Sequence, residues 1–317
     1  MPSRVRQDIF RKWLEAGKPQ KASFIRAWNG QYPDNKVNKD EFRRQSNSQE
    51  AKRIMALSTI VDKRYSDFYP PLGEAWTLEL DDCVICADVQ LPHTKDEWVD
   101  RLCAVGKQHL PKGNRTLVCA GDVVNMDAFS DYEPENPLPS LSQELGAADK
   151  FWKDVLRVYD TVYWFMGNHE YRATKRTKAQ ITPYLLARMV LGRHYDEERT
   201  RISHWGYLFL NTSQGKWIVA HGKNYSVQSL SVGEWLSWKY NLNVISFHQH
   251  HLARGYDRFG RFQVIDGGGL FEQSQMGYAV THASKSANMV NGFVLMKDSV
   301  AHLLGPDGFT DWRQLIK

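Results

Sequence analysis

The stretch Val162-Tyr163-Trp164-Phe165-Met166 runs into Gly167-Asn168-His169-Glu170. An apolar run that meets a glycine, then presents an amide, an imidazole and a carboxylate in succession, reads as a buried strand ending in a tight turn. In α/β proteins, ligands bind at the carboxyl ends of strands. Taken alone, Asn-His-Glu reads more readily as an ordinary turn. The constraint comes from recurrence.

Four further apolar segments end in the same way. Residues 83–87 lead to Asp88-Val89-Gln90, and residues 116–120 lead to Gly121-Asp122-Val123-Val124-Asn125. Residues 217–220 lead to His221-Gly222, and residues 244–247 lead to His248-Gln249-His250-His251. Each block has an innocent alternative: a turn cap for Asp88, a satisfied core histidine for His221, a polar face for His248 and His250. Five strand ends in order, supplying carboxylate, amide and imidazole, are hard to attribute to chance and point to one shared site. Helix signals separate the strands. Thr94-x-x-Glu97 and Ser140-x-x-Gln143 read as capping boxes. Thr182-Pro183 opens a helix that Gly192 stops, and Ser231-x-x-Glu234 caps a Trp-rich one. Further strands are expected near residues 207–210, 262–265, 293–296 and 300–304. Strand alternating with helix predicts an α/β domain.

A chain of 317 residues can bury a full core as one large or two smaller domains. No apolar stretch approaches the roughly 20 residues of a membrane helix, and no apolar run follows the N-terminal charges as in a secretory signal. A cytoplasmic protein without membrane contact is expected. Cys83 and Cys86 form a C-x-x-C without a second pair; three apart on a strand they face opposite sides, so plain buried thiols are expected.

The net charge of +5 is unevenly spread: residues 1–64 hold 15 Lys+Arg against 7 Asp+Glu, whereas the remainder holds 26 against 29. The basic segment looks helical. Ile9, Phe10, Trp13 and Leu14 share one face before Gly17; residues 22–28 place Ile25 and Trp28 inward; residues 48–65 carry Ile54, Leu57, Ile60 and Val61. Short basic helices resemble a helix-turn-helix-like DNA-binding module, with a basic packing cap as the alternative. Pro70-Pro71 and Gly73 mark a boundary, dividing the chain into residues 1–72 and 73–317.

The ordered blocks resemble those of the calcineurin-like metallophosphoesterase superfamily: D-x-H, G-D-x-x-D/N, G-N-H-E/D, a histidine often followed by glycine, and G-H-x-H. The resemblance covers residues 84–269. It implies a four-layer α/β/β/α sandwich, here preceded by the small helical segment, and two divalent metal ions about 4 Å apart. By motif, Asp122 would bridge both ions. Asp88 and His250 would complete one site; Asn168, His221 and His248 would complete the other. A hydroxide between the ions would attack phosphorus, and His169 would assist the leaving oxygen. Mn²⁺ is the expected metal, with Mg²⁺, Zn²⁺, Ni²⁺ or Fe as alternatives.

Two positions depart from the pattern. Gln90 stands where the family has histidine; its amide oxygen could replace the imidazole and favour harder ions, or it could leave that ion weakly held. His93 is a candidate compensator. Phe247 stands where glycine is frequent and is expected to affect packing rather than chemistry, and His251 is an extra histidine with a structural reading. Around the blocks, Arg172, Lys175, Arg176 and Lys178, then Arg254, Arg258 and Arg261, are expected to form a positive lip suited to a polyanion. Arg172, Arg254 and Asn125 are the candidate substrate contacts, with Asn125 and Asp127 also able to brace the metal loop. Asp131, Glu133 and Glu135 would narrow acceptance. The expected function is a metal-dependent phosphodiesterase acting on DNA or RNA. The alternatives are a nucleic-acid-binding protein with a decayed site, motivated by Gln90, and a phosphodiesterase of small or cyclic nucleotides. Oligomeric state stays open.

Overall fold

A computed structural model of the chain describes residues 9, 12, 13, 20–40, 42, 74–130, 138–275 and 289–306. The chain divides into two compact units, Met1–Gly73 and Glu74–Lys317. In the first, helix α1 (Lys21–Gln31) buries Ile25 and Trp28, the two positions its spacing turns inward. They pack with Ile9, Val37 and Phe42. The Asn29 side chain fixes the returning chain by donating to the Val37 carbonyl (3.0 Å) and accepting from the Val37 amide (2.7 Å). The helix expected over residues 48–65 and most of the one around Phe10 and Leu14 lie outside the described residues.

Among its described residues the second unit holds two six-stranded sheets. In the first sheet, β2 (Cys83–Cys86), β3 (Thr116–Ala120), β4 (Thr161–Phe165) and β5 (Thr200–Ser203) run parallel. The antiparallel pair β11 (Phe293–Lys297) and β12 (Val300–Leu304) continues it beyond β2. The second sheet contains β1 (Thr77–Glu79), β6 (Tyr207–Thr212), β7 (Gly215–His221), β8 (Asn243–Phe247), β10 (Gln263–Gly267) and β9 (Leu252–Tyr256), in that spatial order.

Strand periodicity explains the layering. Val84, Cys86, Leu117, Cys119, Val162 and Trp164 face outward onto α2 (Asp96–His109), α3 (Leu141–Val155), α4 (Asn168–Arg176) and α5 (Pro183–Leu191). The alternate residues Cys83, Ile85, Val118, Ala120 and Phe165 face the other sheet, meeting Leu208, Leu210, Val219, Ile245 and Ile265. Ile218, Ala220 and Val244 on the far side carry α6 (Ser231–Tyr240). The result is the expected α/β/β/α sandwich. Cys83 and Cys86 fall on opposite faces, and all four thiols are buried and free. Among the described residues no helix is long and apolar enough to cross a membrane.

Two caps form as the sequence suggests. Ser140 and Gln143 make a reciprocal box at α3, and the Thr182 hydroxyl accepts from the Leu185 amide ahead of Pro183. Two do not. The Thr94 hydroxyl donates to the Val89 carbonyl, bracing the loop after β2, and α2 begins without a side-chain cap. The Ser231 hydroxyl donates to the Gln228 carbonyl, so it closes a turn and lies inside α6. In both, a nearby carbonyl offers a better partner than the helix amides.

Candidate metal centre

The parallel strands of both sheets end at the same edge, and the polar blocks meet there. The first sheet brings Asp88 after β2, Asp122 after β3 and Asn168 after β4. The second brings His221, the last residue of β7, and His248 and His250 after β8. Asp88, Gln90, Asp122, His248 and His250 all have left-handed backbone angles, with φ of 48°, 57°, 51°, 85° and 59°. That conformation, sparsely populated by non-glycine residues, breaks each strand abruptly and turns the side chain across the sheet edge. The close approach of the β3 and β4 loops explains Gly167: a Cβ there would lie 2.1 Å from Asp122 Oδ1.

Asp122, His221 and His248 each offer a ligand atom, all within 4.8 Å of one another. His221 Nδ1 lies 2.8 Å from the Ala120 carbonyl and must donate to it. Its Nε2 lone pair therefore aims at Asp122 Oδ2 (3.1 Å) and Asn168 Oδ1 (3.2 Å). Lone pairs converging on one point repel unless a cation sits among them. Burial would lower the His221 pKa, but the Asp122 and Asp88 charges push it up to about 10: a proton satisfies the same demand. Beside this group, His250 Nε2 lies 3.0 Å from Asp88 Oδ1, while Asp88 Oδ2 accepts from the His248 amide (3.0 Å). Burial opposes ionisation of Asp88 and Asp122, yet the neighbouring imidazoles hold both below the usual carboxylate range.

Gln90 points into the same space. Its Nε2 is 3.4 Å from Asp122 Oδ2, and its buried Oε1 has no partner. A buried amide oxygen without a partner, on a side chain that reaches Asp122, fits a metal ligand position. The donor set as a whole, carboxylate, amide and imidazole, suits divalent ions. His93 is not drawn in. Its Nε2 pairs with Asp127 Oδ2 at 3.1 Å, so it does not compensate for the missing imidazole. His251 is buried with its Nδ1 3.8 Å from Asp266 and neither ring nitrogen hydrogen-bonded, and Phe247 packs in the core between the sheets.

Glu170 is the residue whose importance a motif reading understates. Its carboxylate accepts from the amides of Asp122 (2.9 Å), Val123 (2.7 Å) and Gly167 (2.8 Å), with a longer contact from Val124 (3.3 Å). It thereby ties the β3 and β4 loops into one unit. Glu144 ties α3 to the same β3 loop further along, accepting from the amides of Met126 (2.7 Å) and Asp127 (2.9 Å). Spacing carries a signal only for Glu170, which stands three residues after Gly167 in the α4 first turn.

His169 and Arg172 form one assembly. His169 Nδ1 lies 3.1 Å from the Asn125 carbonyl and must donate to it; Nε2 lies 2.8 Å from Arg172 Nη2 and must accept. Both nitrogens of a neutral ring are thus engaged. Burial and the guanidinium push the His169 pKa down to about 4. Arg172 also donates to the Asn125 carbonyl (2.9 Å) and lies 3.9 Å from Asp127, whose other contacts are His93 and the Asn125 amide (2.6 Å). Arg172, Lys175, Arg176 and Lys178 lie on or just past α4 rather than on a loop. The second basic segment departs from the expected lip. Arg254 is exposed on edge strand β9, bonded to Gln263 (3.1 Å), and Arg258 and Arg261 lie in the turn beyond, carried away from the ligand loop. Asp131, Glu133 and Glu135 lie outside the described residues.

The family model described as calcineurin-like phosphoesterase matches residues 83–274. No curated protein matches the chain. Solved structures similar to it include Vps29 from Entamoeba histolytica complexed with zinc, at 12% identity over 68% of this chain and 84% of that one, with a TM-score of 0.35. A single-substitution variant of the same Vps29 gives 13% identity, the same coverages and a TM-score of 0.33. A protein of unknown function from Aquifex aeolicus gives 12% identity over 57% and 82%, with a TM-score of 0.29.

Proposed function

This chain belongs to the calcineurin-like phosphoesterase family, and from that premise we propose that it is a metal-dependent phosphodiesterase acting on nucleic acid. The observation that carries the reading is the convergence of Asp122, His221 and His248 within 4.8 Å, with Asp88, Gln90, Asn168 and His250 around them. Asp88, Gln90, Asp122 and His250 would hold one ion; Asp122, Asn168, His221 and His248 the other. Divalent ions there supply Lewis acidity and charge to neutralise a phosphoryl group. Mn²⁺ suits the oxygen-rich ligands best.

The remaining roles belong to the chain itself. Glu170 holds Asp122 in register. Neutral His169 hands its Nε2 lone pair to Arg172, which fixes a guanidinium beside the cluster, positioned to meet a phosphoryl oxygen. Arg172 would supply the charge that meets the leaving oxygen, and His169 would orient it. Arg172 and the exposed Lys175 and Lys178 on and after α4 favour a polyanion. A decayed site is disfavoured by Gln90 itself, which reaches Asp122 and keeps a buried, unpartnered amide oxygen available to an ion.

The test is hydrolysis by metal-stripped protein of a bis-aryl phosphate, an aryl monophosphate and an oligonucleotide, before and after adding Mn²⁺. Activity restored by metal, with diester and oligonucleotide preferred, is expected. Silence with Mn²⁺, Mg²⁺, Zn²⁺ and Ni²⁺ alike would overturn the enzyme reading, and preference for the monoester would overturn the substrate reading.

A further inference from the structure

Away from the metal centre, α6 turns two tryptophans to solvent. Trp235 and Trp238 are 63% and 37% exposed, one turn apart on the face opposite the residues that pack against the sheet, Leu236 and Tyr240. The turn between β9 and β10 adds Phe259, 59% exposed, its ring nearly parallel to Trp238 at 5.8 Å and 16°. Trp235 meets Trp238 edge-on at 5.3 Å. Arg258 lies over the Trp238 ring at 4.8 Å and Arg261 over Phe259 at 5.1 Å. Exposed tryptophans gathered in one patch mark an interaction site more often than isolated apolar residues do.

The patch is rigidly built. Buried Asp257 accepts from the amides of Arg261 (2.6 Å) and Phe262 (3.2 Å), pinning the turn that presents Arg258 and Phe259. We propose that this face of α6 and the β9–β10 turn is a stacking surface for single-stranded nucleic acid. Charge selects an anionic partner: Arg258, Arg261 and Lys239 are exposed, and of the described acids beside them Asp257 is buried in the turn, 3.4 Å from Arg261, and Glu234 is partly exposed, 3.6 Å from Arg258. Shape selects bases over an acidic peptide. Trp235 is the most exposed ring, and the exposed guanidinium planes laid on Trp238 and Phe259 extend those rings outward as platforms on which a base can stack, which an extended acidic peptide would leave unused.

The proposal rests on the nucleic-acid reading above and adds a consequence. The five residues of β9 separate the ligand loop from this turn, a rise of roughly 16 Å. A polymer can touch both places; a small diester touches the metal centre alone.

The experiment compares wild type with Trp235→Ala, Trp238→Ala and the double variant. Fluorescence anisotropy would follow binding of a labelled oligothymidylate in chelator, where no cleavage proceeds, and bis-aryl phosphate hydrolysis with Mn²⁺ would report the metal centre. Binding weakened about tenfold per ring, with Trp238→Phe largely restoring it and small-diester hydrolysis unchanged, is the expected result. Cleavage of the oligonucleotide by wild type with unaltered binding in the variants overturns this surface alone. A wild type that neither binds nor cleaves the oligonucleotide overturns the surface together with the substrate reading. Variants that change oligomeric state in light scattering while binding the oligonucleotide as wild type does would make the face a protein interface and overturn the proposal.

Discussion

At the scale of single residues, a carboxylate outside the candidate ligand set holds the loops that carry it. Glu170 gathers amides from the loops carrying Asp122 and Asn168. Glu170→Gln turns an acceptor-only group into one with an NH₂ facing amide donors. We expect metal affinity in a calorimetric titration to fall roughly 10- to 100-fold, with a stability loss of about 2 kcal/mol; unchanged affinity would limit Glu170 to folding. His93 and Asp127 make a pH-dependent counterpart. The Asp127 hydrogen bond raises the His93 pKa against burial, so its contribution is complete below the ordinary value of 6.5 and lost as pH rises through the raised folded value. Burial would raise Asp127, but its His93 and Asn125 hydrogen bonds outweigh this. Its contribution is present above 3.8 and lost as pH falls through the lowered folded value. Urea unfolding across pH should show His93→Gln about 1 kcal/mol less stable than wild type inside that window, the gap closing on the alkaline side. A gap independent of pH would mean packing, not charge, holds His93.

At the scale of elements, the junction between β4 and α4 concentrates the constraint. Gly167 separates an apolar strand from a helix whose first residues are Asn168, His169 and Glu170. Gly167→Ala places a Cβ where Asp122 Oδ1 sits. One of the two must move, and the carboxylate is held by the His169 amide at 2.8 Å. Loss of metal binding is expected, with a thermal midpoint lowered in proportion to about 2–3 kcal/mol of overpacking; a variant that binds metal normally would show that the loop yields freely. The strand and the turn of this junction were legible in sequence as an apolar run meeting glycine, whereas the helix that starts at Asn168 and the capping role of Glu170 were not. The central strands were legible for a similar reason: burial on both faces makes β2, β3 and β8 nearly continuous apolar runs. Strands β1, β5 and β9 escaped the sequence reading. All three are sheet edges, held by backbone pairing to one neighbour, and Leu-Ala-Arg-Gly-Tyr in β9 has no apolar pattern to read. The left-handed angles at Asp88, Gln90, Asp122, His248 and His250 were equally hidden, since no residue type announces them. The engagement of both His169 nitrogens was hidden too, because it depends on Arg172 meeting a carbonyl 47 residues distant.

At the scale of the whole sandwich, the candidate ligands divide by sheet. Asp88, Asp122 and Asn168 end strands of one; His221, His248 and His250 end or follow strands of the other. Ions held by both sets would tie two sheets that otherwise meet through apolar packing, so metal binding and unfolding of this unit should be linked. Saturation at about 100 times the dissociation constant adds about 2.7 kcal/mol, which for a unit of this size corresponds to a midpoint raised by roughly 5–10 °C. Scanning calorimetry of chelator-treated protein, before and after Mn²⁺, measures it. The shift should vanish in both Asp122→Asn and His221→Ala, which take ligands from opposite sheets. If only the Asp122 variant lost the shift, the ion would be held by one sheet and would leave the packing between them unchanged. Loss in both, with hydrogen exchange slowed by metal at the ends of β3 and β7 together, is the outcome that two sheets closing on one cation require.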